Sequence, residues 1–218
     1  GSRLSLLKDL NISVLNSKLP KPEPLAPNKA AWGKQLIMAE RSQLSYKGGR
    51  VWCSPTSLSM VMSYWAKQLK RPELDEDVTA VAGKVYDIKY DGTGNWPFNT
   101  AYAGSFSGIR GYITRFEDVS ELEDWIEAGY PVIISVSYKL LKGMPTPETG
   151  GHIVVVSGFT DKGDVIVNDP WAKLETGEKV VKTFPRKNLI AGWAKSNNTV
   201  YLVHPADAKV PQSRFGHW

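Results

Sequence analysis

Residues 151–170 run Gly151-His152-Ile153-Val154-Val155-Val156-Ser157-Gly158-Phe159-Thr160-Asp161-Lys162-Gly163-Asp164-Val165-Ile166-Val167-Asn168-Asp169-Pro170. Two stretches rich in valine and isoleucine, Ile153–Phe159 and Asp164–Asn168, flank Thr160-Asp161-Lys162-Gly163, whose residue types favour a tight turn. The whole reads as a β-hairpin. His152 and Asp169 are 169 − 152 = 17 residues apart, with the turn midway between them, so the spacing predicts that they lie nearly opposite each other. With side chains alternating by two, His152 shares a face with Val154 and Val156, and Asp169 with Val167 and Val165. Cross-strand neighbours on one face are about 4.5–5.5 Å apart, within reach of a side-chain hydrogen bond. Each residue also has a plainer reading. A histidine opening a strand is often a satisfied structural residue, and Asp-Pro often only starts a turn.

A second stretch gives the pair something to act on. Cys53 stands in Val51-Trp52-Cys53-Ser54-Pro55-Thr56-Ser57, immediately before a segment with apolar residues at Leu58, Val61, Met62, Trp65 and Leu69. That spacing of three and four predicts a helix over about Ser54 to Lys70. Ser54 is the expected N-cap, with Pro55 at the first helical position. A thiol at a helix N-terminus faces unpaired N–H groups and the positive end of the dipole, both of which favour thiolate. The plainer reading is a small buried hydrophobe. Taken together, the three residues suit nucleophilic catalysis: Cys53 as attacking thiolate, His152 as proton shuttle, Asp169 as orienter of the imidazole. An oxyanion would need donors. The backbone N–H of Cys53 and the side-chain amide of Gln43, just upstream, are the candidates.

The remaining signals set the architecture. A second helix is expected over about Leu122 to Ala128, opened by a capping box from Ser120 to Glu123 and closed at Gly129. Strands are expected near Tyr112–Phe116, Val132–Ser137, Val180–Phe184 and Val200–Val203. One helix followed mostly by strands points to an α+β domain, with the nucleophile helix packed against an antiparallel sheet. Residues 1–35 read as an extension whose prolines (Pro20, Pro22, Pro24, Pro27) suit a linker or a strap lying on the domain. Its opening Gly1-Ser2 looks like an expression scar. Residues 36–206 form the expected catalytic domain and 207–218 a tail.

Composition narrows the function classes. The 218 residues carry a net charge of +5 with basic residues scattered, which argues against a nucleic-acid partner. No run is apolar enough to span a bilayer. A lone cysteine excludes an internal disulfide and cysteine-cluster zinc sites, and the three histidines lack metal-ligand spacing. No metal or other cofactor is therefore expected.

The ordered set Gln43, Cys53, His152, Asp169 resembles the papain-like clan, and within it the bacterial family thirty-nine of cysteine peptidases, the bacteriocin-leader-processing group. Glu40-Arg41-Ser42-Gln43, Trp52-Cys53-Ser54-Pro55-Thr56-Ser57, Gly151-His152, Val167-Asn168-Asp169-Pro170 and the segment from Tyr90 to Asn99 are all similar to its soluble members. The resemblance implies a papain-like fold, a cysteine peptidase acting on a peptide or protein, Gln43 in the oxyanion hole, and an exported or cell-envelope setting in a bacterium. Trp52, Asn95, Trp96 and Gly151 are then expected to flank the substrate cleft. The sequence departs from the plant papain signature, because Cys53 follows Val51-Trp52, and no transporter segment accompanies it. The same triad would also serve an acyl or amide transferase or a cell-wall amidase, and a papain-like scaffold can survive as a binding module.

Overall fold

In the computed structural model, which describes residues 23–147 and 150–215, the first long helix, α1, spans Cys53–Leu69. Its first intrahelical bond runs from Thr56 N to Trp52 O (3.0 Å), so Trp52 is the N-cap and Cys53 is the first helical residue. The expected cap at Ser54 is therefore corrected by two positions. The Ser54 hydroxyl instead meets the Tyr201 hydroxyl across the core (3.1 Å), and Pro55 falls at the third helical position, where a missing N–H still costs nothing. Leu58, Val61, Met62 and Trp65 are buried, each contributing roughly 1.5–3 kcal/mol of apolar transfer. Lys70 ends the helix in the left-handed region (φ 55°).

The six strands are β1 (Ile109–Arg115), β2 (Val132–Val136), β3 (His152–Phe159), β4 (Val165–Asn168), β5 (Val181–Phe184) and β6 (Thr199–Pro205). They form one sheet in the order β1-β6-β2-β3-β4-β5, with every pairing antiparallel. Helices α2 (Val78–Lys84) and α3 (Trp96–Gly104) join α1 on one face. On the other lie α4 (Val119–Glu127), α5 (Tyr138–Leu141) and α6 (Arg186–Trp193). The α+β class is as expected, but the sheet is covered on both sides. That is why all eight residues of β3 are buried and its sequence is nearly continuous in apolar residues.

Helix α4 also starts earlier than expected. Asp118 is its N-cap and accepts from Ser120 N (2.7 Å), and Glu121 reaches back to Glu117 N (2.6 Å). The capping pattern thus sits two residues upstream of the Ser120–Glu123 frame. Glu123 is needed elsewhere. Fully buried, it accepts from Trp32 Nε1 (2.7 Å) and Asn28 N (2.8 Å) and pairs with Arg186. These contacts dock the described part of the N-terminal segment against α4, on the face of the sheet away from α1. Pro20 and Pro22 lie outside the described residues.

Candidate active site

His152 opens β3 and Asp169 directly follows β4, which brings both to one end of the sheet, beside the N-terminus of α1. Their strands are not in the register the hairpin spacing predicts. Val155 faces Asn168, so direct opposition would put Asp169 across from Val154, two residues beyond His152. The turn is centred on Lys162, with Thr160 N bonded to Asp164 O (2.9 Å), which alone would set Asp169 across from Val155. A β-bulge between Val156 and Gly158 takes one residue off that offset and leaves it at two. Gly158 is required there, because a Cβ would lie 2.3 Å from the Lys34 carbonyl where the N-terminal segment crosses. The offset is even, so the two side chains keep the same face and reach each other diagonally. His152 Nε2 lies 2.8 Å from Asp169 Oδ1.

With Nε2 committed to Asp169, Nδ1 is the nitrogen left to face Cys53, which lies close enough to the imidazole for each to shift the other's acidity. Cys53 is partly exposed, and His152 is 7% exposed. Burial alone would push the thiol up. The hydrogen bond and charge of His152, with the backbone N–H groups of Ile153 and Ser54, bring it below the ordinary thiol value instead. Burial likewise opposes the imidazolium, but Asp169 and Cys53 raise His152 to about 9. These directions agree, each group favouring the charged form of the other.

Asp169 is fully buried and well provided with donors. Oδ1 also accepts from Trp171 N (2.9 Å), while Oδ2 accepts from Lys182 Nζ (2.8 Å) and the Tyr138 hydroxyl. Burial would raise this carboxyl, but His152, Lys182 and Tyr138 hold it well below the usual carboxylate range. The Tyr138 ring packs on the imidazole with centroids 4.5 Å apart. Neither Tyr138 nor Lys182 stands out in the sequence. Only the β4–β5 register, which sets Lys182 opposite Val167 and so diagonal to Asp169, would reveal the lysine.

Gln43 is buried in the turn before α1. Its backbone N–H donates to Pro170 O (2.9 Å), tying it to the Asp169 loop. Its Nε2 donates to Gly49 O (2.8 Å), the carbonyl that also accepts from Trp52 N (2.9 Å). One amide hydrogen is thus spent on the turn that carries Cys53, and one remains. Gly49 has to be glycine, since a Cβ would lie 1.9 Å from the Gln43 carbonyl oxygen.

The expected cleft residues divide. Trp96 heads α3 and packs against Tyr201 (ring centroids 6.4 Å), whose hydroxyl meets Ser54, so it borders the nucleophile turn. Trp52 precedes Cys53 and faces Tyr46 (6.4 Å). Gly151 is exposed beside His152. Asn95 is the N-cap residue of α3, and its side-chain amide donates to Asp87 (2.5 Å).

A papain-like fold presents a nucleophile helix to an antiparallel sheet that carries the base, and the likenesses to solved structures agree. A C39-like peptidase from Bacillus anthracis superposes with a TM-score of 0.58 at 14% identity, over 82% of this chain and 100% of that one. A double glycine motif protease from an AMS/PCAT transporter, solved in complex with the leader peptide, gives 0.52 at 18%, over 78% and 94%. Digestive procathepsin L 3 of Tenebrio molitor larval midgut gives 0.56 at 14%, over 90% and 74%. No curated protein matches the sequence. The fold is thus that of the papain-like cysteine peptidases. Within that class, the chain belongs to the Peptidase_C39 like family, whose model matches residues 36–209, and it is a cysteine peptidase.

Proposed function

We propose that the protein cleaves peptide bonds through a Cys53–His152–Asp169 triad and an acyl-enzyme intermediate. The observation that carries this reading is the 2.8 Å contact of His152 Nε2 with Asp169, which leaves Nδ1 for a thiol at the first residue of α1. The Cys53 thiolate attacks the scissile carbonyl carbon, forming a C–S bond and moving the π electrons onto oxygen. The backbone N–H of Cys53, with no carbonyl a turn earlier to take it, and the remaining Nε2 hydrogen of Gln43 supply donors for that oxyanion. When the tetrahedral adduct collapses, the C–N bond breaks and the imidazolium gives its Nδ1 proton to the departing amine. A water then attacks the thioester, His152 takes its proton, and the acid leaves with the thiolate restored. Asp169 holds the ring and its charge throughout without accepting a proton.

A polypeptide substrate fits this site. The transporter peptidase that shares the fold was solved with a leader peptide. Here the exposed side chains of Val51 and Tyr90 and the half-buried Trp96 offer apolar surface beside the nucleophile turn. The test is digestion of a peptide library by the wild type and Cys53→Ala, read by mass spectrometry. Products that depend on Cys53 support a peptidase. Turnover confined to amide or ester donors would assign the triad to acyl transfer instead, and no turnover of either kind would leave a binding module.

A further inference from the structure

We propose that Lys182 is a positioning residue that sets the acidity of the His152 imidazolium by sharing the Asp169 carboxylate with it. This rests on the triad reading above and adds a group outside it. Lys182 Nζ lies 2.8 Å from Asp169 Oδ2, and His152 Nε2 lies 2.8 Å from Oδ1. Two cations therefore compete for one fully buried anion. A carboxylate facing the imidazolium alone would hold its proton too firmly for easy transfer to a leaving amine. The lysine offsets part of that charge and also keeps Asp169 ionised when His152 is neutral.

The surrounding groups fit this role. Cys53 faces the imidazole from α1, and Tyr201 of β6 is near enough to the thiol to feel its charge. Tyr138 of α5 packs on the ring and donates to Oδ2, with Lys142 Nζ 4.3 Å from its own ring centre. Glu178, in the loop before β5, holds the outer side of the lysine at 3.2 Å. Lys182 is thereby fixed from both sides, with its side chain 22% exposed. Burial works against its charge, but Asp169 and Glu178 raise its pKa above the ordinary lysine value, so it stays charged across the working range.

The experiment is NMR titration of the His152 ring Cε1–H, assigned by its loss in His152→Ala, in the wild type, Lys182→Met, Lys182→Gln and Lys182→Arg. The midpoint should rise by about one pH unit in the Met and Gln variants and stay near the wild-type value in Arg. Gln keeps a donor on Asp169 and guards against loss of the fold. A folded Gln or Met variant that titrates like the wild type would overturn the proposal, as would an Arg variant that shifts like Met. Iodoacetamide alkylation of the wild type with a free-thiol profile would instead defeat the thiolate–imidazolium reading, leaving the comparison of His152 midpoints intact.

Discussion

His152 and Asp169 make a 2.8 Å hydrogen bond although their strands place them two residues out of direct opposition. The turn alone would put Asp169 across from Val155, on the wrong face for His152, and the bulge at Ser157-Gly158 makes the offset even and so restores the shared face. A one-residue slip would have turned Asp169 to the other face and abolished the pair. The site is therefore sensitive to the parity of the register more than to its value.

Asp169→Ala should lower kcat/KM by about 10²–10⁴-fold, because the imidazole loses both its orientation and its counter-charge. The same change strands the donors of Lys182, Tyr138 and Trp171 and should cost roughly 1–3 kcal/mol of stability. Steady-state kinetics and urea unfolding check the two parts separately.

The pH dependence of stability follows from the depressed Asp169 carboxyl. Its folded-state value lies below its unfolded value, so the unfolded chain binds more protons as pH falls. The contribution is present above about pH 4 and is lost as pH drops toward the folded-state value. Urea unfolding of the wild type and Asp169→Asn should show a difference that is nearly constant from pH 7 to about pH 5 and narrows progressively below about pH 4.

Gln43→Ala separates oxyanion stabilisation from thiolate formation. It should reduce kcat on a peptide by about 10²–10³-fold while leaving iodoacetamide alkylation of Cys53 unchanged, because alkylation at a saturated carbon develops no oxyanion. Gly49→Ala should lower kcat too, by pushing the Gln43 backbone away, and should in addition depress Tm.

Glu123→Ala tests the role of the N-terminal segment. It leaves Trp32 Nε1, the Asn28 N–H and Arg186 without their shared acceptor and should cost about 2–3 kcal/mol in urea unfolding. The alkylation rate of Cys53 under native conditions should not change, since these contacts lie on the opposite face of the sheet from α1.

What could be read from the sequence was local. A cysteine heading an apolar-faced helix, and a histidine and an aspartate flanking a Thr-Asp-Lys-Gly turn, need only short-range rules, and the geometry brings all three residues together. The details that failed depend on distant partners. Ser54 does not cap α1 because Tyr201, far along the chain, engages its hydroxyl. The bulge sits where backbone around Lys34 crosses Gly158, a contact between segments more than a hundred residues apart. Helix α3 follows Gly92 and Gly94 and carries Pro97 in its first turn, so its start has little helical signal although proline is well suited to that position. Tyr138 comes from a four-residue helix with almost no periodic signal, and Lys182 depends on a strand register that only the folded sheet defines.

The most direct test of the account is the pH dependence of Cys53 alkylation by iodoacetamide, measured in the wild type and in His152→Ala. A paired thiolate predicts rapid alkylation persisting well below about pH 8.5 in the wild type and lost in the variant. Slow alkylation with the same free-thiol profile in both proteins would contradict it.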